Sequence, residues 1–277
     1  MSRDWQDKLV HKWLRIPYAL HAVTTESKVK PRVTVVFMHG IGNSSATWDS
    51  VIRQLPTDTR SIAVDLLGFG KSPKPDWAVY NARTQARSVV ATLLKKKVRG
   101  KVILVGHSLG ALVAIEIANR YRFAVEGTVL CSPPLYRGSD SDKQSGYSPD
   151  DILRRLYRQV GKHPQLFTKV SRLAVKYKLA NKSFSVDESN IAIYIATLET
   201  AIINQSSLAD SKKLRVPTTI IHGRLDPLVI GANLKSAVAA NPNIELLHVN
   251  SGHDLNDVYE KTVITQITKV ENRDKYE

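Results

Sequence analysis

Val102-Ile103-Leu104-Val105-Gly106-His107-Ser108-Leu109-Gly110, running on into Ala111-Leu112-Val113-Ala114-Ile115, decides how this chain is read. The apolar, mostly β-branched run at its start marks a strand buried on both faces, as inside a parallel sheet. The Ala- and Leu-bearing run after Gly110 predicts a helix over Ala111–Ala118. A turn this short leaves no room for side chains two places before and two places after the serine, and both positions are glycine. It forces Ser108 into a strained backbone conformation with its hydroxyl presented at a helix N-terminus, which favours developing negative charge. In that setting Gly-x-Ser-x-Gly points to a serine nucleophile.

Upstream, a first strand is expected over Arg15–Val23 and a second over Val33–Met38, ending in His39-Gly40-Ile41-Gly42-Asn43. A short helix follows over Thr47–Leu55. A strand over Ser61–Asp65 runs into Leu66-Leu67-Gly68-Phe69-Gly70-Lys71-Ser72-Pro73, and a helix is expected over Thr84–Lys97. Downstream, Gly127–Cys131 is another strand. Between Ser132 and Arg215 helical periodicity takes over. Ser148 is placed to cap a helix that begins at Pro149 with Asp150 and Asp151 in its first turn. Further helices are expected over Pro164–Leu179 and Asp187–Asn204. Strands return at Thr218–Ile221 and Ile244–Val249, and a helix over Asn256–Lys269 closes the chain. Strands alternating with helices define an α/β fold with a mostly parallel central sheet flanked by helices. The domains read as a core formed by residues 1–131 and 216–277, with a helical cap, 132–215, inserted over one edge of the sheet. Ligands of such sheets bind beyond the carboxyl ends of the strands.

A serine hydroxyl becomes a good nucleophile only when a base takes its proton. With this turn the partners follow in the order acid, then histidine. Asp226 lies in Gly223-Arg224-Leu225-Asp226-Pro227, after one strand, and His253 lies in Ser251-Gly252-His253-Asp254, after the last. The other seven histidines fit the role less well. His11 and His21 precede the first buried strand, His163 is in the helical insertion and His248 is within a strand. His39, His107 and His222 sit beside glycines, where a histidine usually holds backbone. Asp254 adjoins His253 too closely in sequence to face its ring, and Asp65 is better placed to brace the Gly68-Phe69-Gly70 turn. The oxyanion of a tetrahedral intermediate needs two donors, for which the backbone N–H groups of Leu109 and Ile41 are placed. A histidine base implies that activity rises as the imidazole loses its proton.

The 277 residues are 43% hydrophobic and 23% charged, ordinary for a globular protein. The net charge of +15 is not ordinary, and it favours anionic partners. The basic residues are spread along the chain, however, and the densest run, Lys95 to Lys101, falls at a helix end where cations complement the dipole. No nucleic-acid partner is expected; a weak attraction to anionic surfaces is. The single cysteine, Cys131, excludes an intrachain disulfide and reads as a core residue. No signal sequence and no membrane-spanning run is visible, so a cytoplasmic protein is expected. The chemistry calls for no metal or other cofactor.

His39-Gly40, Asp65-Leu66-Leu67-Gly68-Phe69-Gly70-Lys71-Ser72, Gly106-His107-Ser108-Leu109-Gly110, Gly223-Arg224-Leu225-Asp226-Pro227 and Gly252-His253 together resemble the α/β-hydrolase superfamily, in its small, lid-bearing esterase and lipase-like branch. The resemblance spans nearly the whole chain. Some members place the acid after the strand that here ends in Cys131-Ser132-Pro133-Pro134, where this sequence has none. Members with an aspartate nucleophile are excluded by Ser108. The resemblance implies hydrolysis of a small-molecule carboxylic ester through an acyl-enzyme. The same triad also supports thioester hydrolysis, acyl transfer or carbon–carbon bond hydrolysis, and the fold also hosts non-catalytic ligand binders. Ile191-Ala192-Ile193-Tyr194-Ile195-Ala196 is apolar on all sides of a helix, so Tyr194 and Ile195 are candidates for the substrate pocket.

Overall fold

A computed structural model describes residues 3–31, 33–138, 149–176, 184–187 and 190–272 of the chain. Among the described residues one seven-stranded sheet forms from β1 Ala22–Thr25, β2 Thr34–Met38, β3 Arg60–Val64, β4 Val102–His107, β5 Val125–Cys131, β6 Thr218–Gly223 and β7 Ile244–Val249. The order is β1-β3-β2-β4-β5-β6-β7. Only β1 runs antiparallel; the other pairs are parallel. The helices are α1 Arg3–Asp7, α2 Asp49–Gln54, α3 Ala82–Lys95, α4 Leu109–Arg120, α5 Pro149–Lys162, α6 Pro164–Lys176, α7 Ile191–Thr197, α8 Ser207–Ser211, α9 Gly231–Ala240 and α10 Asp257–Glu271.

The continuous apolar strands follow from two cores, one on each face. Side chains alternate across a strand. Val36, Met38 and Leu104 therefore point to the side covered by α3 and α4, where Val89, Leu93, Val113 and Ile117 meet them. Val35, Phe37, Ile103 and Val105 point to the other side, covered by Val51 of α2 and Tyr259, Val263 and Ile267 of α10. Cys131, at the end of β5, is fully buried in this second core, and burial pushes its thiol up. Asparagines start two covering helices: the Asn81 side chain accepts from the Thr84 N–H at 2.9 Å, and that of Asn256 from the Tyr259 N–H at 3.2 Å.

Some expectations need correction. Arg15–Val23 is not a strand. Arg15 has φ +55°, Pro17 offers no N–H, and pairing starts only at Ala22, opposite Val64 of β3. The single helix expected over Asp187–Asn204 is α7 followed by a π-helical stretch, Leu198–Ile203. The Thr197 and Thr200 hydroxyls donate to carbonyls four residues back, at 2.8 and 2.7 Å, which loosens the α-helical ladder there. The helices after β5 do not spring from a sheet edge: β5 and β6 are adjacent interior strands. Ser148 and the last residues of the expected Pro164–Leu179 helix lie outside the described residues.

The turn from β4 into α4 is as tight as its sequence demands. A Cβ on Gly106 would lie 2.3 Å from the Gly110 carbonyl oxygen, and one on Gly110 would lie 2.1 Å from that of Met38. Neither neighbour is a flexible side-chain tip, so the backbone itself would have to move. Gly110→Ala is expected to destabilise the fold by about 3 kcal/mol or more. Urea denaturation measures it; a midpoint unchanged from wild type would show that the turn can relax.

Candidate active site

Ser108 caps the start of α4 with φ +51° and ψ −113°, a conformation costly for a side-chain-bearing residue. Its N–H donates to Cys131 O at 2.9 Å, tying the turn to β5. The residue is 6% exposed and lines a cavity of about 320 Å³ together with Gly40, Ile41 and His253. Among the described residues, no hydrogen bond engages the N–H of Ile41 or of Leu109. These are the two donors expected for an oxyanion.

Asp226 and His253 come together from the loops after β6 and β7. The His253 Nδ1–H donates to Asp226 Oδ2 at 2.8 Å. The structure thus brings Asp226, His253 and Ser108 to one end of the sheet, although among the described residues no hydrogen bond joins Ser108 to His253. Burial pushes the Asp226 carboxyl up. The hydrogen bond and charge of His253, the Ser132 hydroxyl and the Leu228 N–H outweigh it and hold the group below the usual carboxylate range. Asp226 is therefore an anion at neutral pH.

His39, His107 and Asp65 hold backbone, whereas His222, expected to do the same, meets the His248 ring instead, Nδ1 to Nδ1 at 3.3 Å. His39 accepts from the Leu66 N–H at 2.9 Å through Nε2 and donates to Gly40 O at 2.7 Å through Nδ1, shaping the loop that carries Ile41. Burial lowers its pKa to about 4, so it stays neutral. His107 Nε2 donates to the His253 carbonyl at 2.8 Å; burial, then the charge of His253, lowers its pKa to about 3. Asp65 accepts from the N–H groups of Ser45 and Lys71 at 2.6 and 2.8 Å and binds His21 at 3.0 Å. It braces the turn after β3.

Sequence reasoning missed Ser132 and Tyr259. Ser132 is fully buried at φ +47°. Its hydroxyl donates to Asp226 Oδ2 at 2.6 Å and meets the Tyr259 hydroxyl at 2.8 Å. Ser132 stands directly after β5, where some members of the superfamily carry their acid; here it supports the acid that comes from β6. The absence of an acid after Cys131 was visible in sequence, but not what the serine does instead. Ser132→Ala is expected to lower kcat roughly tenfold, because it removes a hydrogen bond to a charged group, worth about 1.5–3 kcal/mol. A drop in melting temperature with kcat unchanged would make the residue structural only.

The structure divides the two pocket candidates. Tyr194 is 8% exposed and lines the cavity with Phe167, Phe184 and Leu198. Ile195 is not part of that lining. One residue further along α7 is turned about 100° away, and Ile195 Cγ2 lies 3.5 Å from where a Cβ on Gly161 of α5 would stand.

With the fold and this arrangement described, the chain belongs to the α/β-hydrolases: the family model for the alpha/beta hydrolase fold matches residues 33–258. Its similarity to particular proteins is more distant. A probable lysophospholipase of Arabidopsis thaliana, BODYGUARD 2, is 32% identical over 131 residues, or 46% of this chain; that match spans only 28% of the relative's own length. A 2-(acetamidomethylene)succinate hydrolase of Mesorhizobium japonicum is 27% identical over 254 residues, covering 84% of this chain and 86% of that protein. Among solved structures, a malate-bound thermophilic esterase from Thermogutta terrifontis superposes with a TM-score of 0.71 at 19% identity, covering 91% of this chain and 94% of the other. At that identity the likeness is one of fold.

Proposed function

We propose that the protein is a serine hydrolase that cleaves carboxylic esters through an acyl-enzyme. The observation that carries this reading is the charge-held Asp226–His253 pair and the strained Ser108 facing one largely apolar cavity. Bound substrate closes the Ser108 hydroxyl and His253 to hydrogen-bond distance. His253 Nε2 takes the hydroxyl proton as Oγ bonds to the ester carbon, and the carbonyl oxygen becomes an oxyanion held by the Ile41 and Leu109 N–H groups. Collapse breaks the bond to the alcohol oxygen, which takes the proton from His253. Water then attacks the acyl-serine by the same route and releases the acid. Asp226 fixes the imidazole tautomer and stabilises the imidazolium.

The cavity lining favours an apolar acyl group. Phe167, Phe184, Tyr194, Leu198 and Ile202 line it, and among the described residues no Lys or Arg does. A substrate of the succinate kind, named for the Mesorhizobium relative, would bring carboxylates to a cavity that already contains Asp254. A panel of esters and thioesters of graded acyl length, including a lysophospholipid and a succinate ester, tests the reading. Preference for apolar acyl esters supports it; selective turnover of the succinate ester or of thioesters overturns it. Within that panel, Tyr194→Ala should shift the preferred acyl length while keeping kcat on the shortest ester within about threefold of wild type, since the aromatic wall lies away from the reacting atoms. Unchanged length preference with lower thermal stability would place the pocket elsewhere.

A further inference from the structure

The N-terminal segment shows an unusual surface. Lys12, Trp13, Leu14, Arg15 and Ile16 are five consecutive exposed residues. Trp13 is 74% exposed and Leu14 61%. A frayed end would explain this trivially, but the segment is tied down. The Leu14 and Ile16 N–H groups donate to Leu9 O and Val10 O at 3.0 and 3.1 Å, and the Arg87 guanidinium donates to Arg15 O at 2.9 Å. The left-handed turn at Arg15 is thus held by hydrogen bonds on both sides.

Beside this turn lies a groove of about 420 Å³. Lys12, Arg15 and Arg87 line it with Trp77 and Val79, and among the described residues no carboxylate does. Of the nearby acids, Asp7 accepts from the Tyr18 hydroxyl, and Asp76, exposed beside Trp77, is not part of the lining. Cations and exposed apolar side chains therefore occupy one patch, on a protein whose net charge is +15.

The patch also sits at the functional end of the sheet. The segment leads into β1, which is antiparallel, so its entry lies beside the carboxyl end of β3. Leu67, from the loop after β3, lines the groove, and at the adjoining Gly68 a Cβ would lie 2.6 Å from Ile193 of α7, the helix that brings Tyr194 to the cavity.

We propose that this patch docks the protein on an anionic lipid surface. The indole of Trp13 and the side chains of Leu14 and Ile16 enter the headgroup boundary, and Lys12, Arg15 and Arg87 meet lipid phosphates. A nucleic acid would use the cations but leave Leu14 and Ile16 in water. A second copy of this chain would bring the same positive charge to the contact. An anionic bilayer matches both features. The inference does not depend on which ester is hydrolysed.

Sedimentation of the full chain with vesicles tests it. Wild type should bind vesicles of equimolar phosphatidylcholine and phosphatidylglycerol at least about tenfold more tightly than phosphatidylcholine alone, and less tightly as salt is raised. The double variant Trp13→Ala/Leu14→Ala and the charge variant Lys12→Gln/Arg15→Gln should each lose about tenfold in affinity for the mixed vesicles. Both should hydrolyse a short soluble ester as wild type does, which shows that they are folded. Three results would overturn the proposal: no binding of wild type to the mixed vesicles, equal binding by wild type and both variants, or a dimer in solution that the Trp13 variant dissociates. So would tighter binding to single-stranded DNA than to the mixed vesicles with Trp13 irrelevant to both.

Discussion

Ser108→Ala is expected to lower ester turnover by at least about 10⁴-fold while leaving the melting temperature close to that of wild type. Removing the nucleophile leaves only the oxyanion donors and substrate binding, which sustain a small residual rate. The fold should survive because alanine can occupy the same backbone conformation at about the same cost as serine, and the Ser108 N–H still donates to Cys131 O. The variant should also fail to react with a fluorophosphonate probe that labels wild type. Turnover near wild type by the folded variant would remove Ser108 from the chemistry, and with it the acyl-enzyme.

Asp226→Asn should lower kcat by roughly 10⁴-fold. The carboxylate accepts from His253 Nδ1, Ser132 Oγ and Leu228 N–H at 2.8, 2.6 and 2.9 Å. His253 and Ser132 share Oδ2 while Leu228 uses Oδ1, so an amide either turns its N–H₂ to the imidazole and the Ser132 hydroxyl, forcing the wrong tautomer, or turns it to the Leu228 N–H and loses that bond. Asp254→Asn is the control. Asp254 lines the cavity next to His253 in sequence but does not hold the ring. A large loss for Asp254→Asn with a harmless Asp226→Asn would reverse the assignment.

Much of this was legible in the sequence where one residue type answers one geometric demand. Gly106 and Gly110 announce the turn because any larger residue collides with backbone. The runs in β2, β4, β5 and β6 announce buried parallel strands because only a sheet covered on both faces tolerates them. Legibility failed where the answer lay in pairing or in another loop. Nothing in Arg15–Val23 says that its partner strand begins opposite Ala22. The small residues of α9, Gly231-Ala232-Asn233, give weak periodicity, and this helix had no counterpart in the sequence reading. Ser132 and Tyr259 are 127 positions apart, and only the register of β5 against β6 and the packing of α10 unite them at Asp226. Tyr194 and Ile195 are equally apolar in sequence; a helical rotation separates their surroundings.

Cys131 gives the molecule a built-in reporter. It is the chain's one thiol, it lies in the interior beside the backbone that positions both Ser108 and Ser132, and its burial keeps the reactive thiolate scarce. A thiol reagent can reach it only when the core between the sheet and α10 opens. The labelling rate under native conditions therefore counts those openings directly, with no engineered probe. A ligand that fills the neighbouring cavity slows that clock by the factor with which it favours the closed state.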